Sequence, residues 1–378
     1  MSDQRTYWPL IALLWTTGLL AAAQFAKLTF TIESLQVIYP NASVPLAVSG
    51  VSVVGILGGA LAGFFVAKIG ARHAVLWSVV ASAILSLIQG LEMSFAPFMA
   101  TRILEGFGHL LLVVALPTMM VVLAKPSDKS VVMGIWGTFF GVGYALLALI
   151  IPSLEAWGGV RAVYVAHGVL LAALFPVLWA ILPRVMQGAD VMPNVITIHR
   201  KIYSNPRYFA PGLGHGIYTA IFIALVAFLP AALNALWLTP ILPLANLSGT
   251  FVSGFIARHI AASKLSIGGF GVAAVLFAIM GVSGSIIAAV LAMFFTGLTA
   301  GANFAAVPEL NHAPEDQARA NGGMAQLGNI GTFSGTPIYA IVAGSLLGIA
   351  GVSIVICVLG MVFAGLAYRA ARMSAVMG

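Results

Sequence analysis

The sequence predicts an all-α integral membrane protein of twelve transmembrane helices in two pseudo-symmetric six-helix bundles, and its composition, apolar segments and internal repeat carry that prediction. Hydrophobic residues make up 61% of the 378 residues and charged residues only 7%, against about 25% charged in soluble domains. So few charges cannot cover a water-facing surface. A bilayer accepts helices of about 20 apolar residues that satisfy their own backbone hydrogen bonds. We therefore expect no sizeable soluble domain.

Polar or turn-forming residues divide the apolar sequence into twelve segments. The longest polar interruption, 184–207, is interpreted as a cytoplasmic linker between an N-terminal six-helix bundle (1–183) and a C-terminal six-helix bundle (208–378). Such boundaries are uncertain by about 2–4 residues. The predicted spans are 8–30, 44–67, 74–92, 95–123, 131–152, 161–183, 209–230, 238–257, 265–283, 285–308, 321–344 and 346–368.

Basic residues gather on one side of this topology. An even number of spans places both termini on the same side, and all of the 17 Lys and Arg residues except Lys27, Arg102 and Arg161 lie in loops or termini on that side. Cytoplasmic loops are enriched in Lys and Arg, so we expect a multi-pass protein of the plasma (inner) membrane with both termini cytoplasmic. The net charge of +7 is explained by this bias, and no nucleic-acid partner is expected.

The two halves of the chain show weak internal similarity. The segment GALAGFFVAK, which begins at Gly59, recurs as GTFVSGFIAR from Gly249, half a chain later. Pro117 and Pro308, near the ends of the fourth and tenth predicted spans, are separated by nearly the same interval. Internal repeats of this kind are typical of transporter folds, so the pattern favours a duplicated six-helix unit.

The loop between the second and third spans carries a recognisable motif. It reads GFFVAKIGARH from Gly63 to His73, which resembles the signature loop of the major facilitator superfamily. The family usually has an acidic residue where Ala67 and Ala257 stand, so the customary charge relay is incomplete here. The small residues would allow close helix packing, and the basic residues could pair with helix ends. The candidate gating-loop residues are Gly63, Lys68, Gly70, Arg72 and, in the second half, Arg258.

Two further motifs extend the resemblance over essentially the whole chain. The segment RILEGFGH from Arg102 is similar to the arginine-containing fourth-helix motif of the family, and the glycine-rich fifth span resembles its fifth-helix motif without the usual proline. The resemblance implies two bundles around a central cavity and transport by alternating access. A weaker resemblance to the cyanate and nitroimidazole transporter group rests on AKLT around Lys27 and on Tyr218 followed by FLP.

Ionisable residues inside the predicted spans are the candidates for function, since each costs about 2.5–3.5 kcal/mol at a helix centre. Arg102, Glu105 and His109 share one helix face, and Lys27 and Arg102 both lie roughly 10 Å inside the outer boundary at ~1.5 Å per residue. One hypothesis is that Lys27 and Arg102 bind an anionic substrate while Glu105 or His109 exchanges a proton. The alternative is a structural Arg102–Glu105 pair, with Lys27 reaching outward to the interface.

The second half offers two polar candidates. The resemblance places helices 1, 4, 7 and 10 along the cavity, so Tyr218 and Asn303 could contact the substrate from helices 7 and 10. Packing of Tyr218 and an interhelical hydrogen bond of Asn303 are the alternatives. Histidines can titrate near neutral pH, but a structural role is the alternative for His109 and also for His167 and His215.

The resulting functional prediction is a proton-coupled secondary transporter of a small anion. The rival on the same fold is an exporter of drugs or metabolites, and rivals of other classes are a solute-binding membrane receptor and a membrane-embedded enzyme. No phosphate-binding loop, metal cluster or catalytic constellation occurs at suitable spacing. We therefore expect no enzymatic activity, catalytic residue, metal or cofactor. The expected partners are the solute, protons and membrane lipids, with the protein a monomer.

Overall fold

The computed structural model describes residues 5–125, 128–183 and 194–377, and within these ranges the chain forms helices and turns without a β-strand. Residues 184–193 of the predicted linker lie outside the described residues. The described residues fall into two compact units. One lies within Met1–Val54 and Ala62–Met192, and the other within Gly55–Leu61 and Pro193–Gly378. The predicted bundle boundaries at 183 and 208 stay a prediction.

The first half of the chain contains nine α-helices among its described residues. A 3-10 turn, Gly59–Leu61, separates α4 from α5, so the second predicted span is a broken helix rather than a continuous one. The helices are α1 (Trp8–Thr29), α2 (Ile32–Ile38), α3 (Val44–Gly50), α4 (Ser52–Gly58), α5 (Ala62–Ile69), α6 (Ala71–Gln89), α7 (Phe95–Val122), α8 (Lys129–Gly137) and α9 (Phe139–Ile181).

The second half begins with a short amphipathic helix and continues with six long ones. Asn194 caps the short helix by accepting hydrogen bonds from two backbone N–H groups. Asn205 caps the first long helix, which has proline in its first turn. The helices are α10 (Val195–Tyr203), α11 (Pro206–Ala232), α12 (Leu238–Ile256), α13 (Ala262–Ser283), α14 (Ile286–Leu310), α15 (Pro314–Val342) and α16 (Leu346–Met377).

Helix α9 is bent where the sequence predicts the gap between the fifth and sixth spans. Gly158 has φ −145° and ψ 18°, and Gly159 has φ 67° and ψ −172°. The second of these conformations is essentially restricted to glycine. The bend divides the helix into two parts, each long enough to serve as one of the predicted spans.

Nine helical stretches among the described residues are long and apolar enough to cross a membrane. The longest, Val131–Ile181, contains the bend and corresponds to two predicted spans. Helices α12 and α15, which are not among the nine, match the predicted eighth and eleventh spans. The helices therefore fit an arrangement of twelve spans. Within the first unit, an apolar core lies between α1, α6, α7 and α9 and includes Leu14, Val79, Leu112 and Leu171.

Candidate functional site

A buried cluster of charges lies among the helices of the first unit. Glu105 of α7 accepts a hydrogen bond from Lys27 of α1, with 2.8 Å between Nζ and Oε1. Its other carboxylate oxygen pairs with Arg102, one helical turn earlier, and also accepts from Gln89 of α6 at 3.0 Å. The side chains of Lys27, Arg102 and Glu105 are at most 1% exposed. The structure therefore brings together the two predicted anion-binding cations and one predicted proton-exchanging group.

The Arg102 guanidinium is held from three directions. Besides its pairing with Glu105, Nε donates to the Ala47 carbonyl at 3.1 Å and Nη2 donates to the Gln24 carbonyl at 2.7 Å. The approach of α3 depends on Gly50, because a Cβ there would lie 3.1 Å from the Cβ of Arg102. Arg102 thus ties α7 to α1 and α3, and its planar group suits such directional contacts.

Lys27 does not reach outward to the interface. Its Nζ lies 2.9 Å from Ser86 Oγ and 3.3 Å from His167 Nδ1, in addition to the contact with Glu105. The face of Tyr164 is 5.0 Å from the same nitrogen. His167 Nε2 lies 3.0 Å from the Leu20 carbonyl, which can only accept. That contact assigns the proton of a neutral imidazole to Nε2 and leaves the Nδ1 lone pair facing Lys27.

His109 sits one hydrogen bond away from this cluster. Its Nδ1 lies 2.9 Å from Gln24 Oε1, and the Gln24 amide donates to Ser82 of α6 at 2.7 Å. Phe25 packs edge-on against the imidazole with 5.0 Å between the ring centroids. Of the two predicted proton-exchanging residues, Glu105 contacts both cations directly and His109 reaches them only through Gln24.

The predicted second-half residues are engaged in contacts between helices. The Tyr218 hydroxyl of α11 donates to Asn246 Oδ1 of α12 at 2.8 Å. Asn303 Oδ1 of α14 accepts from Ser266 of α13 at 2.9 Å and from Tyr368 of α16 at 2.8 Å. The contacts of Asn303 are those of its interhelical alternative. Tyr218 both forms an interhelical hydrogen bond and packs its ring against Phe222, with 6.0 Å between the ring centroids. A role of Tyr218 and Asn303 in substrate binding stays a prediction.

The gating-loop candidates differ in their surroundings. Gly70 precedes α6 with φ 82°, a backbone conformation that favours glycine. Arg72 is buried and donates to the carbonyls of Trp179, at 2.7 Å, and Leu182, at 3.0 Å, at the end of α9. This is a favourable position for a cation. Gly63, Lys68 and Arg258 are exposed, and Arg258 lies 5.4 Å from the Phe255 ring centroid.

A charged contact outside the predicted spans joins α11 to α15. The Tyr208 hydroxyl donates to Asp316 at 2.7 Å, and Arg319 pairs with the same carboxylate oxygen at 2.6 Å. The hydrogen bond from Tyr208, followed by the contacts with Arg319, holds the pKa of Asp316 below its usual range. This cluster lies within the second unit.

Sequence reasoning missed the neutral members of the buried cluster. Ser82, Ser86 and Gln89 occupy one face of α6 at helical spacing, and each contacts a member of the cluster or its extension. These polar residues on one face of an apolar span were the feature from which the sequence could have predicted their part in the cluster. His167 was considered only as one histidine among several, because nothing in the sequence places it against Lys27.

Comparisons with known proteins agree with this architecture. The family model for the Major Facilitator Superfamily matches residues 10–331. A solved bacterial homolog of the human lysosomal transporter Spinster, in an inward-facing unoccupied conformation, superposes with a TM-score of 0.76 at 15% identity, covering 99% of this chain and 98% of that chain. The inward-facing occupied form superposes with a TM-score of 0.74 at 14% identity, covering 96% of each chain. No curated protein sequence matches the chain.

The family match extends over most of the chain, and the structural matches at this low identity show the same fold. The predicted all-α major facilitator fold is confirmed. Membership points to transport rather than to enzymatic catalysis, and with the apolar helices it makes this a multi-pass membrane protein. The chain belongs to the major facilitator superfamily and is a secondary transporter.

Proposed function

We propose that this transporter moves a small anion together with protons by alternating access, as a monomer in the plasma membrane with both termini cytoplasmic. The observation that carries the proposal is the charge balance of the buried cluster. Lys27 and Arg102 share the single carboxylate of Glu105, so two cationic side chains face one acid. A second anion would complete the balance, whereas a cationic solute would increase the excess.

Lys27 and Arg102 are the proposed contacts of this anion. A charged group inside a membrane is expensive unless it is paired. With Lys27 protonated, the cluster has one surplus cation and therefore an electrostatic reason to attract a negative solute. Arg102 has N–H groups beyond those in its present contacts, and the ammonium form of Lys27 can turn one N–H from Ser86 or His167 toward the solute. Together they can donate to two oxygens of a carboxylate, nitrate or similar small anion. Tyr218 and Asn303 are the proposed polar contacts from the second half.

The coupling ion is proposed to be a proton because several groups of this cluster can change protonation. Glu105 and His109 were the sequence-based candidates, and His167 adds an imidazole in direct contact with Lys27. Anion binding and proton binding at neighbouring groups stabilise one another, which is the thermodynamic requirement for coupled transport.

The test is uptake into proteoliposomes that contain the purified protein. Labelled cyanate, nitrate, formate and acetate would be supplied with and without an inward proton gradient, with protein-free liposomes as the control. Accumulation of at least one of these anions, stimulated by the gradient, is expected. If none of them moves while neutral or cationic drugs do, the exporter alternative replaces the proposal.

A further inference from the structure

The candidates for the proton-carrying residue can be reduced in number by considering which side chains face Lys27 from each neighbouring helix. Helix α7 presents Glu105 and Arg102, α9 presents His167 and Tyr164, and α6 presents only neutral side chains. The cluster therefore contains one permanent cation, one carboxylate, and a lysine whose charge is not matched by a second acid among the described residues.

Three members of the cluster are poorly suited to exchange a proton. Arg102 remains charged in proteins. Glu105 accepts from Lys27, Arg102 and Gln89 at once, so protonating it would leave the permanent charge of Arg102 buried without a counter-charge. His167 Nδ1 lies 3.3 Å from Lys27 Nζ, so an added proton would be shared between an imidazole and an amine, of which the amine is the stronger base. These positions disfavour Glu105 and His167 as the site of proton uptake.

Building on the proposed function, we propose that Lys27 itself carries the coupling proton, as a neutral amine in the empty transporter and as an ammonium when the anion is bound. Lysine, unlike arginine, can lose its proton when it is buried. The three neighbours of Nζ suit both forms. An ammonium donates to Glu105, Ser86 and His167. An amine donates to Glu105 and His167, and it accepts from Ser86 once that hydroxyl turns away from the Tyr164 carbonyl, to which it donates at 2.9 Å.

This assignment balances the charge of the cluster in both states. In the empty transporter Arg102 neutralises Glu105 and Lys27 is uncharged. When an anion binds, the lone pair of Lys27 forms an N–H bond with a proton from the outer solution, so one positive and one negative charge enter together. On the inner side the N–H bond breaks and the proton leaves with the anion. The cluster then returns empty and without net charge, so uptake should not respond to membrane potential.

The test replaces Lys27 with a cation that cannot lose its proton. Uptake of the panel anion that the wild type transports best would be measured for the full-length Lys27→Arg protein in proteoliposomes. Stimulation by an inward proton gradient should be lost. Uptake should instead be stimulated by an inside-positive potential, set with valinomycin and potassium, because one negative charge now enters per turnover. Lys264→Arg, an exposed lysine of α13, is the matched control and should behave like the wild type.

Several results would overturn the assignment. If Lys27→Arg keeps its gradient stimulation and stays insensitive to potential, the coupling proton lies elsewhere. If His109→Gln loses the stimulation in the same experiment, the conclusion against Lys27 is the same. Should Lys27→Arg not fold, Lys27→Met gives a second test, since any gradient-stimulated uptake by that variant contradicts the assignment. If the wild type transports none of the anions, the proposed function fails as well. Transport by the wild type with coupling retained in both Lys27 variants refutes only the role of Lys27.

Discussion

Arg102→Lys should lower the stability of the protein even though it preserves the positive charge. The guanidinium donates at once to Glu105, to the Gln24 carbonyl of α1 and to the Ala47 carbonyl of α3. A lysine ammonium at this position can keep the contact with Glu105. It cannot reproduce the planar arrangement of donors that reaches the two carbonyls. The substitution therefore separates the charge of Arg102 from its directional contacts.

The expected loss follows from the two hydrogen bonds that disappear. Interhelical hydrogen bonds in membrane proteins contribute about 0.6 kcal/mol on average and up to ~1.7 kcal/mol each. Two such bonds correspond to about 1–3 kcal/mol in the free energy of unfolding. Gln24 also lies inside α1, where a backbone N–H one turn later can bond to its carbonyl. Removal of the guanidinium therefore need not leave that carbonyl without a partner, and we expect a loss in the lower part of this range.

Equilibrium unfolding in mixed micelles would measure this change, with thermal stability in detergent as a second readout. Arg161→Lys provides the control, since Arg161 is exposed and such surface substitutions usually change stability by less than about 0.5 kcal/mol. Wild-type stability in Arg102→Lys would refute the assignment of the guanidinium to the α1 and α3 carbonyls. Combined with a loss of anion uptake, it would indicate that Arg102 serves the solute alone.

Three further predictions concern contacts away from Glu105. Arg72→Ala should lower the free energy of unfolding by about 1–3 kcal/mol, measured in the same way, because two carbonyls at the end of α9 lose their donor. A double-mutant cycle of Tyr218→Phe and Asn246→Ala should give a coupling energy of about 0.6–1.7 kcal/mol, and additivity would contradict their hydrogen bond. Tyr208→Phe should raise the pKa of Asp316, as measured by NMR titration of the carboxyl group. An unchanged pKa would contradict the contact.

The fold was predictable because membrane spans depend on composition and length. Apolar runs placed most helix ends to within a few residues, although α15 begins at Pro314 rather than at 321 and α16 ends at Met377 rather than at 368. The sequence also predicted a break where Gly158 and Gly159 bend α9. The interruption of the second span at Gly59–Leu61 was not predicted. Hydropathy changes little along that segment, so the pattern of apolar residues does not distinguish a straight helix from a broken one.

The candidate site was predictable in part. Helix direction placed Lys27 and Arg102 at a common depth, and the structure brings both to the Glu105 carboxylate. The contact of Lys27 with His167 and Ser86 could not be predicted, since it depends on the rotation of α1 against α6 and α9. Spacing within one helix can be derived from sequence, whereas contacts between helices distant in the chain require the packed structure.

The charge balance of the cluster makes one further prediction, in which opposite substitutions have the same effect. Glu105→Gln removes a negative charge, and Lys27→Arg makes a positive charge permanent. Either change leaves the empty cluster with one surplus positive charge. In Glu105→Gln the charge of Arg102 has no counter-charge, and in Lys27→Arg two arginines share the one carboxylate of Glu105. An anion can then bind without a proton, so both variants should transport independently of the proton gradient and respond to an inside-positive potential.

Glu105→Gln should also lower the free energy of unfolding by about 3–5 kcal/mol, because it breaks a buried ion pair from one side. Its transport is therefore compared per folded molecule, after the folded fraction has been measured. If Glu105 carried the coupling proton, Glu105→Gln would lose the gradient response while Lys27→Arg kept it. Agreement between the two variants requires that the proton respond to the total charge of the cluster, and Lys27 is the member whose charge can change to maintain that balance.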